Sequence, residues 1–201
     1  MAKKKNFIRT MAGNSIIENH VRETNDYYAT EPKAIRLLLE LETFKGDIWE
    51  CACGEGHISK ELEIMGYKVL SSDLIDRGFG KQFNFVIGDF NKFLDENGMT
   101  KKINIITNPP YKIAQEFIER ALNIIDDGCK LALFLPIRYL EGKARRKFFD
   151  KCPPKVLYVS SGRIICAING DFKSIKGNAI TYAWFIWQKG FKGETTLRWF
   201  N

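Results

Sequence analysis

Five short segments, several of them continuous apolar runs, constrain the fold more than any other feature of this sequence. Apolar runs without polar alternation are typical of strands that are covered on both faces, as in a parallel sheet. Helical patterns at residues 57–65, 114–125 and 138–150 alternate with them. This alternation predicts a doubly wound α/β sandwich. The five predicted strands are residues 47–52, 68–72, 83–87, 103–107 and 131–135.

The two ends of the chain add further expectations. Residues 1–25 are predicted to form a basic tail or short helix, and residues 26–201 a single domain. Thr30 is predicted to cap a helix that has Pro32 in its first turn. A final antiparallel strand pair and the polar loop between its strands are predicted at residues 163–168, 179–187 and 169–178.

Composition excludes several classes of protein. Hydrophobic residues make up 45% and charged residues 27% of the 201 positions, which is ordinary for a globular domain. The longest apolar runs, 131–137 and 182–187, are far shorter than the ~20 residues that a membrane span needs. No apolar segment follows the lysines at 3–5 to make a secretory signal. Five cysteines are an odd number, which favours free thiols in a cytoplasmic protein.

Charge is unevenly distributed along the chain. Residues 23–129 carry 12 Lys and Arg against 19 Asp and Glu, whereas residues 130–201 carry 14 against 4. Residues 1–22 are also basic, so the pattern favours a polyanionic partner, with nucleic acid first among them. A solvated lysine-rich surface would give the same count. The first candidates for phosphate contacts are Arg138, Lys143, Arg145, Arg146 and Lys147.

Polar or glycine residues follow four of the predicted strands. Gly54, Asp73, Asp89 and Asn108 each stand at or just beyond a strand end. In open α/β sheets, ligands bind outside the carboxyl ends of the strands. The recurrence therefore predicts one site that these four residues share.

A glycine turn opens this predicted site. Gly54 and Gly56 let the chain between strand and helix pass close to a ligand, where a Cβ would collide. Asp73 follows Gly54 by 19 residues, the distance at which an acid holds ribose hydroxyls. The pair fits a dinucleotide or S-adenosylmethionine, and a tight strand–helix turn is the structural alternative.

Three further features favour S-adenosylmethionine over a dinucleotide. Ser59 replaces the third glycine of the dinucleotide fingerprint. Glu50, just before the glycines, suits a cationic amino group and would repel a pyrophosphate. Asp89 is placed to accept from an adenine amine while Phe90 packs on the ring, although turn and cap chemistry would also explain an aspartate there.

Histidine and cysteine residues do not predict a metal site. Cys51 and Cys53 have C-x-C spacing, and no second Cys/His pair follows at zinc-finger distance. The two histidines, His20 and His57, are isolated, and His57 at a helix start is expected to be structural.

The tetrapeptide Asn108-Pro109-Pro110-Tyr111 carries the most specific chemical signal. An exocyclic amine of a base is a poor nucleophile because its lone pair is delocalised into the ring. The Asn108 side-chain oxygen and the Pro109 carbonyl can accept its two hydrogens, which aims the lone pair at a methyl group. The prolines stiffen the loop, and Tyr111 offers a ring on which an extruded base can stack. A plain Pro-Pro strand exit would need neither Asn108 nor Tyr111.

Together these motifs resemble those of N6-adenine-specific DNA methyltransferases, in the compact form found in phages and prophages. The resemblance covers residues 26–190, and residues 162–190 resemble the final hairpin of phage-type members. It implies a Rossmann-like class I fold, with a mostly parallel seven-stranded sheet and a C-terminal antiparallel hairpin. It also implies S-adenosyl-L-methionine as cofactor and DNA, duplex or transiently opened, as partner. The order of the motifs is similar to the gamma-type arrangement.

The resemblance assigns a role to each motif. Residues 26–32 match the cofactor motif that touches the methionine carboxylate, and residues 50–56 match the glycine-rich motif, although Ala52 stands where the family often has Phe. Asp73 with Leu74 matches the ribose-binding position. The implied cofactor-binding residues are Tyr28, Thr30, Glu50, Ala52, Gly54, Gly56, Asp73, Leu74, Asp89, Phe90 and Asn108, and the implied catalytic residues are Asn108, Pro109, Pro110 and Tyr111.

Other activities share this chemistry. The same tetrapeptide occurs in RNA adenine methyltransferases and in enzymes that methylate a release-factor glutamine, although the latter usually carry an extra helical N-terminal domain. A non-catalytic nucleic-acid-binding module that retains the fold is an alternative of another class, but its cofactor loop or tetrapeptide would be degraded, and both are intact here. A cytosine-C5 enzyme is excluded because it needs a Pro-Cys nucleophile and the chain has Cys152-Pro153. No segment fits a separate target-recognition domain.

Overall fold

Ten strands and five helices follow one another along residues 27–173 and 180–201, which are the residues that the computed structural model describes. The strands are β1 (Tyr28–Thr30), β2 (Asp47–Glu50), β3 (Val69–Asp73), β4 (Lys81–Gln82), β5 (Ile103–Thr107), β6 (Lys130–Pro136), β7 (Val156–Ser160), β8 (Cys166–Ile168), β9 (Tyr182–Gln188) and β10 (Thr196–Phe200). The helices are α1 (Lys33–Leu41), α2 (His57–Ile64), α3 (Phe90–Glu96), α4 (Ala114–Ile124) and α5 (Lys143–Lys151). The predicted N-terminal tail or helix at 1–25 lies outside the described residues.

Eight of these strands form one sheet in the order β10-β7-β9-β6-β5-β2-β3-β4. Neighbouring strands are parallel except at β9, which runs antiparallel to both β6 and β7. The predicted doubly wound, mostly parallel α/β sheet with an antiparallel pair near the C-terminus is therefore confirmed. The sheet has one strand more than the seven expected, because the chain returns after β9 and adds β10 outside β7.

Both faces of the sheet are covered, which explains the continuous apolar runs of its strands. In β6, Leu131, Leu133 and Leu135 pack in a cluster with α3 and α4, whereas Ala132 and Phe134 pack in a second cluster with α1 and α2. Successive side chains of a strand point to opposite faces. Because both faces are buried here, every position of β6 after Lys130 is apolar, and the charged residue stands at the end of the strand.

The C-terminal antiparallel pair is not built from the two predicted segments. Among the described residues, 163–168 do not pair with 180–187. Instead, β8 pairs antiparallel with β1, and β9 enters the main sheet between β6 and β7. The apolar composition of β9 explains its place, because a strand buried on both faces needs a neighbour on each side. Residues 174–178 of the predicted loop and residue 179 of the predicted strand lie outside the described residues.

The predicted strand at 83–87 was wrong. This segment is a turn in which the Asn84 side chain accepts from the main-chain N–H groups of Val86 and Ile87, at 3.1 and 3.3 Å. Its apolar character comes from aromatic packing, since Phe85 lies against the Trp49 ring with centroids 5.1 Å apart. The strand beside β3 is the two-residue β4 instead.

Two predicted helices have different boundaries in the structure. Thr30 does not cap α1, because it belongs to β1 and the helix begins at Lys33 after Pro32. The predicted helix 138–150 divides into a 3-10 turn at Ile137–Leu140 and α5. Gly142 separates them with a φ of 112°, a conformation that interrupts any helix. Arg138 therefore lies outside α5.

Helices and cysteines in the described ranges bear on two expectations. None of these helices combines the length and the apolarity that a bilayer crossing requires. All five cysteines fall within the described residues, and all are free thiols.

Candidate catalytic and cofactor site

The carboxyl ends of β2, β3 and β5 converge at one edge of the sheet, as the strand-end residues predicted. A narrow cleft forms there between the end of β2, the start of α2, strand β1 and the residue that follows β5. Of the residues predicted to bind cofactor, five line this cleft, and Gly54 and Asp73 lie beside it. The cleft-lining members are Tyr28, Thr30, Glu50, Ala52 and Asn108.

Asn108 has a side-chain amide whose orientation is determined by its neighbours. Its Nδ2 lies 2.9 Å from the Tyr28 carbonyl oxygen and 3.0 Å from Thr30 Oγ1. A carbonyl can only accept a hydrogen bond, so the amide nitrogen and not the oxygen must face Tyr28. The Asn108 Oδ1 is buried and has no hydrogen-bond partner among residues 27–173 and 180–201. This oxygen can therefore accept a hydrogen bond from a bound molecule.

Tyr111 is largely enclosed by other side chains. Its hydroxyl lies 4.0 Å from Cys166 Sγ, and its ring centroid lies 6.2 Å from that of Tyr28, with the two rings 23° from parallel. Burial raises the pKa of Tyr111 well above its usual value. Within the tetrapeptide, Pro109 is buried and Pro110 is exposed.

Glu50 is a buried carboxyl group at the end of β2. Its Oε2 accepts from the main-chain N–H of Ser59 at 2.7 Å and also from the Ser59 hydroxyl. Burial raises the pKa of Glu50 well above its usual value, against the lowering effect of these hydrogen bonds. A buried carboxyl of this kind favours a cationic ligand, because a positive charge restores its ionised form.

The glycine turn after β2 is close-packed. Gly54 has a φ of 53°, and a Cβ there would lie 2.7 Å from the Tyr27 ring. Its main-chain N–H donates to Asp73 Oδ2 at 2.8 Å, and the N–H of Ile75 donates to Oδ1 at 3.0 Å. Gly56, with a φ of 81°, is covered by the Phe79 ring. Both carboxylate oxygens of Asp73 thus hold the turn through main-chain N–H groups.

The residues predicted to bind the adenine ring of the cofactor lie apart from this cleft. Asp89 caps α3 by accepting from the main-chain N–H of Lys92 at 3.1 Å, as the cap alternative anticipated. The Phe90 ring lies between two cations, 4.9 Å from the Arg120 guanidinium and 5.4 Å from Lys101 Nζ. The Leu74 side chain is exposed.

The basic candidates divide into one structural residue and four exposed ones. Arg145 Nη1 donates to the main-chain carbonyls of Arg138, Tyr139 and Glu141 at 3.1–3.3 Å, and its guanidinium lies 4.6 Å from the centre of the Tyr139 ring. These contacts tie the 3-10 turn to α5. The exposed candidates are Arg138, Lys143, Arg146 and Lys147.

Three residues of the site were missed or interpreted differently from the sequence. Cys166 Sγ lies 3.8 Å from Asn108 Nδ2, a contact that depends on the pairing of β1 with β8. Tyr27 covers Gly54, and its position in the matched N-terminal motif was a usable signal. His57 lines the cleft with its Nδ1 buried and unpaired, and burial lowers its pKa.

Comparisons with known proteins bear on the fold. No protein-family model matches the chain, and no curated protein matches it. Among solved structures, an S-adenosylmethionine-dependent O-methyltransferase from Thermotoga maritima aligns with a TM-score of 0.52 at 15% identity, over 81% of this chain and 67% of its own. A protein designated a class I methyltransferase from Listeria monocytogenes aligns at 0.50 and 14%, over 83% and 62%. A protein designated a hemolysin from Lactococcus lactis aligns at 0.53 and 13%, over 83% and 88%.

These likenesses identify the architecture. The chain spans less than two thirds of the Listeria protein, and all three identities are low. They therefore speak to the fold alone, which is that of the class I S-adenosylmethionine-dependent methyltransferases.

Proposed function

We propose that this chain transfers a methyl group from S-adenosylmethionine to the N6 amine of adenine in DNA. The observation that carries the proposal is the Asn108 side chain. Its amide nitrogen is held by Tyr28 and Thr30, and its buried oxygen has no partner in the part of the chain that the structure describes. An acceptor held in this way is preorganised for a substrate group that donates hydrogens.

An amine fits this acceptor better than a hydroxyl does. The two N–H groups of an exocyclic amine have two acceptors available, the Asn108 oxygen and the main-chain carbonyl of Pro109. A hydroxyl must lose its proton to a base before it attacks, and a primary amide is not a base. The proposal therefore favours N-methylation, although the Thermotoga protein of similar fold is an O-methyltransferase.

The residues around the cleft fit S-adenosylmethionine, which supplies an electrophilic methyl group on sulfur when it is bound. Glu50 offers a buried carboxyl group to the cationic amino group, and Ala52 and Thr30 border the same space. Gly54 keeps the turn free of a Cβ, and Asp73 beside it offers carboxylate oxygens to the ribose hydroxyls. The proposed contacts of the adenosine part of this cofactor remain Leu74, Asp89 and Phe90.

A nucleic-acid base is favoured as the substrate by two observations. The Tyr28 ring, which is stacked on Tyr111, is 36% exposed and gives a flat surface suited to a planar base. Residues 130–201 carry 14 Lys and Arg against 4 Asp and Glu, and four of the basic candidates are exposed to meet phosphates. A protein glutamine has neither a ring nor a polyanionic backbone. DNA is preferred to RNA on the phage-type resemblance of residues 162–190.

Labelled S-adenosylmethionine, offered in parallel with duplex DNA, single-stranded DNA, RNA and a release factor, tests the proposal. We expect label in N6-methyladenine from DNA, identified by nucleoside mass spectrometry. Asn108→Ala should abolish transfer while its calorimetric affinity for S-adenosylmethionine stays near that of the wild type. Label only in RNA or in the release factor would overturn the DNA assignment. Substantial turnover by Asn108→Ala would overturn the catalytic assignment.

A further inference from the structure

The Thr30 hydroxyl lies directly behind the proposed amine acceptor. Thr30 ends β1, its side chain is 2% exposed, and it stands opposite Cys166 in the β1–β8 pair. Its Oγ1 accepts from Asn108 Nδ2 at 3.0 Å. Thr30 and Cys166 belong to a two-stranded sheet outside the main one. This small sheet therefore brings a buried hydroxyl to the end of β5.

The Asn108 amide is held by two strong acceptors. A primary amide nitrogen carries two hydrogens, and the Tyr28 carbonyl at 2.9 Å and Thr30 Oγ1 at 3.0 Å account for both. Cys166 Sγ, at 3.8 Å, is a weak acceptor. The terminal torsion of asparagine has broad energy wells, so a single hydrogen bond would leave the amide plane able to rotate. The second hydrogen bond removes this freedom.

The environment of Thr30 also determines how its hydroxyl is used. An oxygen that accepts from Asn108 must direct its own hydrogen elsewhere, and Cys166 stands opposite Thr30 in the β1–β8 pair. Burial raises the pKa of the Cys166 thiol to about 12, so the thiol stays neutral. A lone pair of Thr30 Oγ1 is thus directed at Asn108.

We infer that Thr30 is a positioning residue whose hydroxyl sets the rotation of the Asn108 amide so that Oδ1 faces the substrate amine. The inference rests on the proposed function and deepens it. It gives Thr30 a role that acts through Asn108, in place of the contact with the cofactor that the family resemblance implies. The two roles differ in what they predict, because a positioning residue affects kcat and a cofactor contact affects affinity.

Thr30→Val is the variant that tests this inference, because it removes the hydroxyl and keeps the branched shape. We expect kcat for adenine methylation to fall about tenfold or more, since small misplacements of a reacting group are costly. The affinity for S-adenosylmethionine, measured by calorimetry, should change by less than about twofold, because a positioning residue does not contact the cofactor. Thr30→Ser keeps the hydroxyl and should restore kcat. Melting curves verify that each variant is folded.

Thr107→Val provides the matched control. Thr107 is fully buried one residue before Asn108, and its hydroxyl has no hydrogen-bond partner within the described ranges. The control makes the same chemical change beside the same asparagine, and its kcat should equal that of the wild type. An equal loss in Thr107→Val and Thr30→Val would overturn the inference, because a general packing effect would then explain both.

A readout that does not need turnover separates this inference from the proposed function. The side-chain amide signals of Asn108 in an NMR spectrum are assigned by their absence in Asn108→Ala. In Thr30→Val, one of the two proton signals should move upfield and exchange faster with water. If the two Asn108 amide signals are unchanged in Thr30→Val, or if this variant keeps the wild-type kcat, the role of Thr30 is overturned. Lost cofactor affinity with unchanged kcat overturns it as well. Failure of wild-type protein to methylate any nucleic acid overturns the proposed function alone.

Discussion

Ser59 donates both its main-chain N–H and its hydroxyl to one carboxylate oxygen of Glu50, with the nitrogen 2.7 Å from that oxygen. Ser59 stands where a dinucleotide-binding motif has its third glycine. The residue that departs from that motif is therefore the one that orients the buried carboxyl group. Burial outweighs the two hydrogen bonds and leaves the pKa of Glu50 well above its usual value.

We expect the affinity for S-adenosylmethionine to fall as the pH is lowered from 7. The raised pKa of Glu50 means that the free protein holds a proton on this carboxyl group at a pH where an exposed glutamate is ionised. Pairing with the cationic amino group requires the ionised form, so binding releases the proton. Calorimetry in two buffers with different ionisation enthalpies measures this release.

The control for this pH effect is a pair of variants. Glu50→Gln should weaken binding about tenfold, as expected for the loss of a charged hydrogen-bond partner, and should abolish the proton release. Glu40→Gln removes an exposed carboxylate from α1 and should leave both the affinity and the proton release unchanged. A wild-type affinity that does not vary with pH would contradict the role of Glu50.

Asp73→Ala should weaken S-adenosylmethionine binding by about 10- to 100-fold, the range expected when a carboxylate acceptor for buried hydrogen bonds is lost. The substitution removes the proposed ribose acceptor and also the acceptor for the Gly54 N–H. Asp76→Ala is the matched control, because Asp76 is exposed in the same loop and accepts from the Gly78 N–H. Equal affinities for the two variants would refute the assignment of Asp73.

We expect Arg145→Ala to lower stability and Arg146→Ala to weaken the salt dependence of nucleic-acid binding. Arg145→Ala removes three hydrogen bonds to carbonyls and should lower the free energy of unfolding by about 1.5–3 kcal/mol. Arg146→Ala removes an exposed side chain and should leave that free energy nearly unchanged. If Arg146 contacts a phosphate of DNA, its loss should reduce the slope of log K against log salt by about 0.9.

Urea unfolding and fluorescence anisotropy across a salt series measure these two quantities. A change of salt slope in Arg145→Ala without loss of stability would reverse the assignment of the two residues. An unchanged slope in Arg146→Ala would favour the alternative that α5 is merely solvated.

Thr107→Val should raise the free energy of unfolding by about 1 kcal/mol, because it replaces a buried hydroxyl that has no partner with a methyl group. Thr30→Val should lower it, since the Thr30 hydroxyl is hydrogen-bonded. Urea unfolding of both variants checks the difference in sign. Destabilisation by Thr107→Val would mean that its hydroxyl has a partner in solution.

The strands that carry the site were predictable because they are buried on both faces. The strand Ile103–Thr107 was predicted to the residue, and β2 and β6 were predicted to within two residues at each end. The same apolar signal failed at residues 83–87, where Phe85 is buried as part of a turn. A run of apolar residues reports burial, and burial does not require a strand.

By itself, the sequence determined the class of fold and the chemistry available at the strand ends, because both depend on patterns among neighbouring residues. The asparagine before two prolines, the glycine turn and the acid 19 residues beyond Gly54 are all local or regularly spaced signals. They predicted that Gly54, Asp73, Asp89 and Asn108 would share one site, and Asp89 is the member that lies apart from the cleft, at the start of α3.

Only the tertiary structure decided how Asn108 is oriented and what surrounds it. Its amide is held by Tyr28 and Thr30, which precede it by 80 and 78 residues, and it lies near Cys166, 58 residues further on. These three positions come together because β1 pairs with β8, whereas the sequence predicted β8 to pair with the segment of β9. Main-chain hydrogen bonding between strands is indifferent to most side chains, so no local pattern specifies which strands pair or which hydroxyl holds the amide.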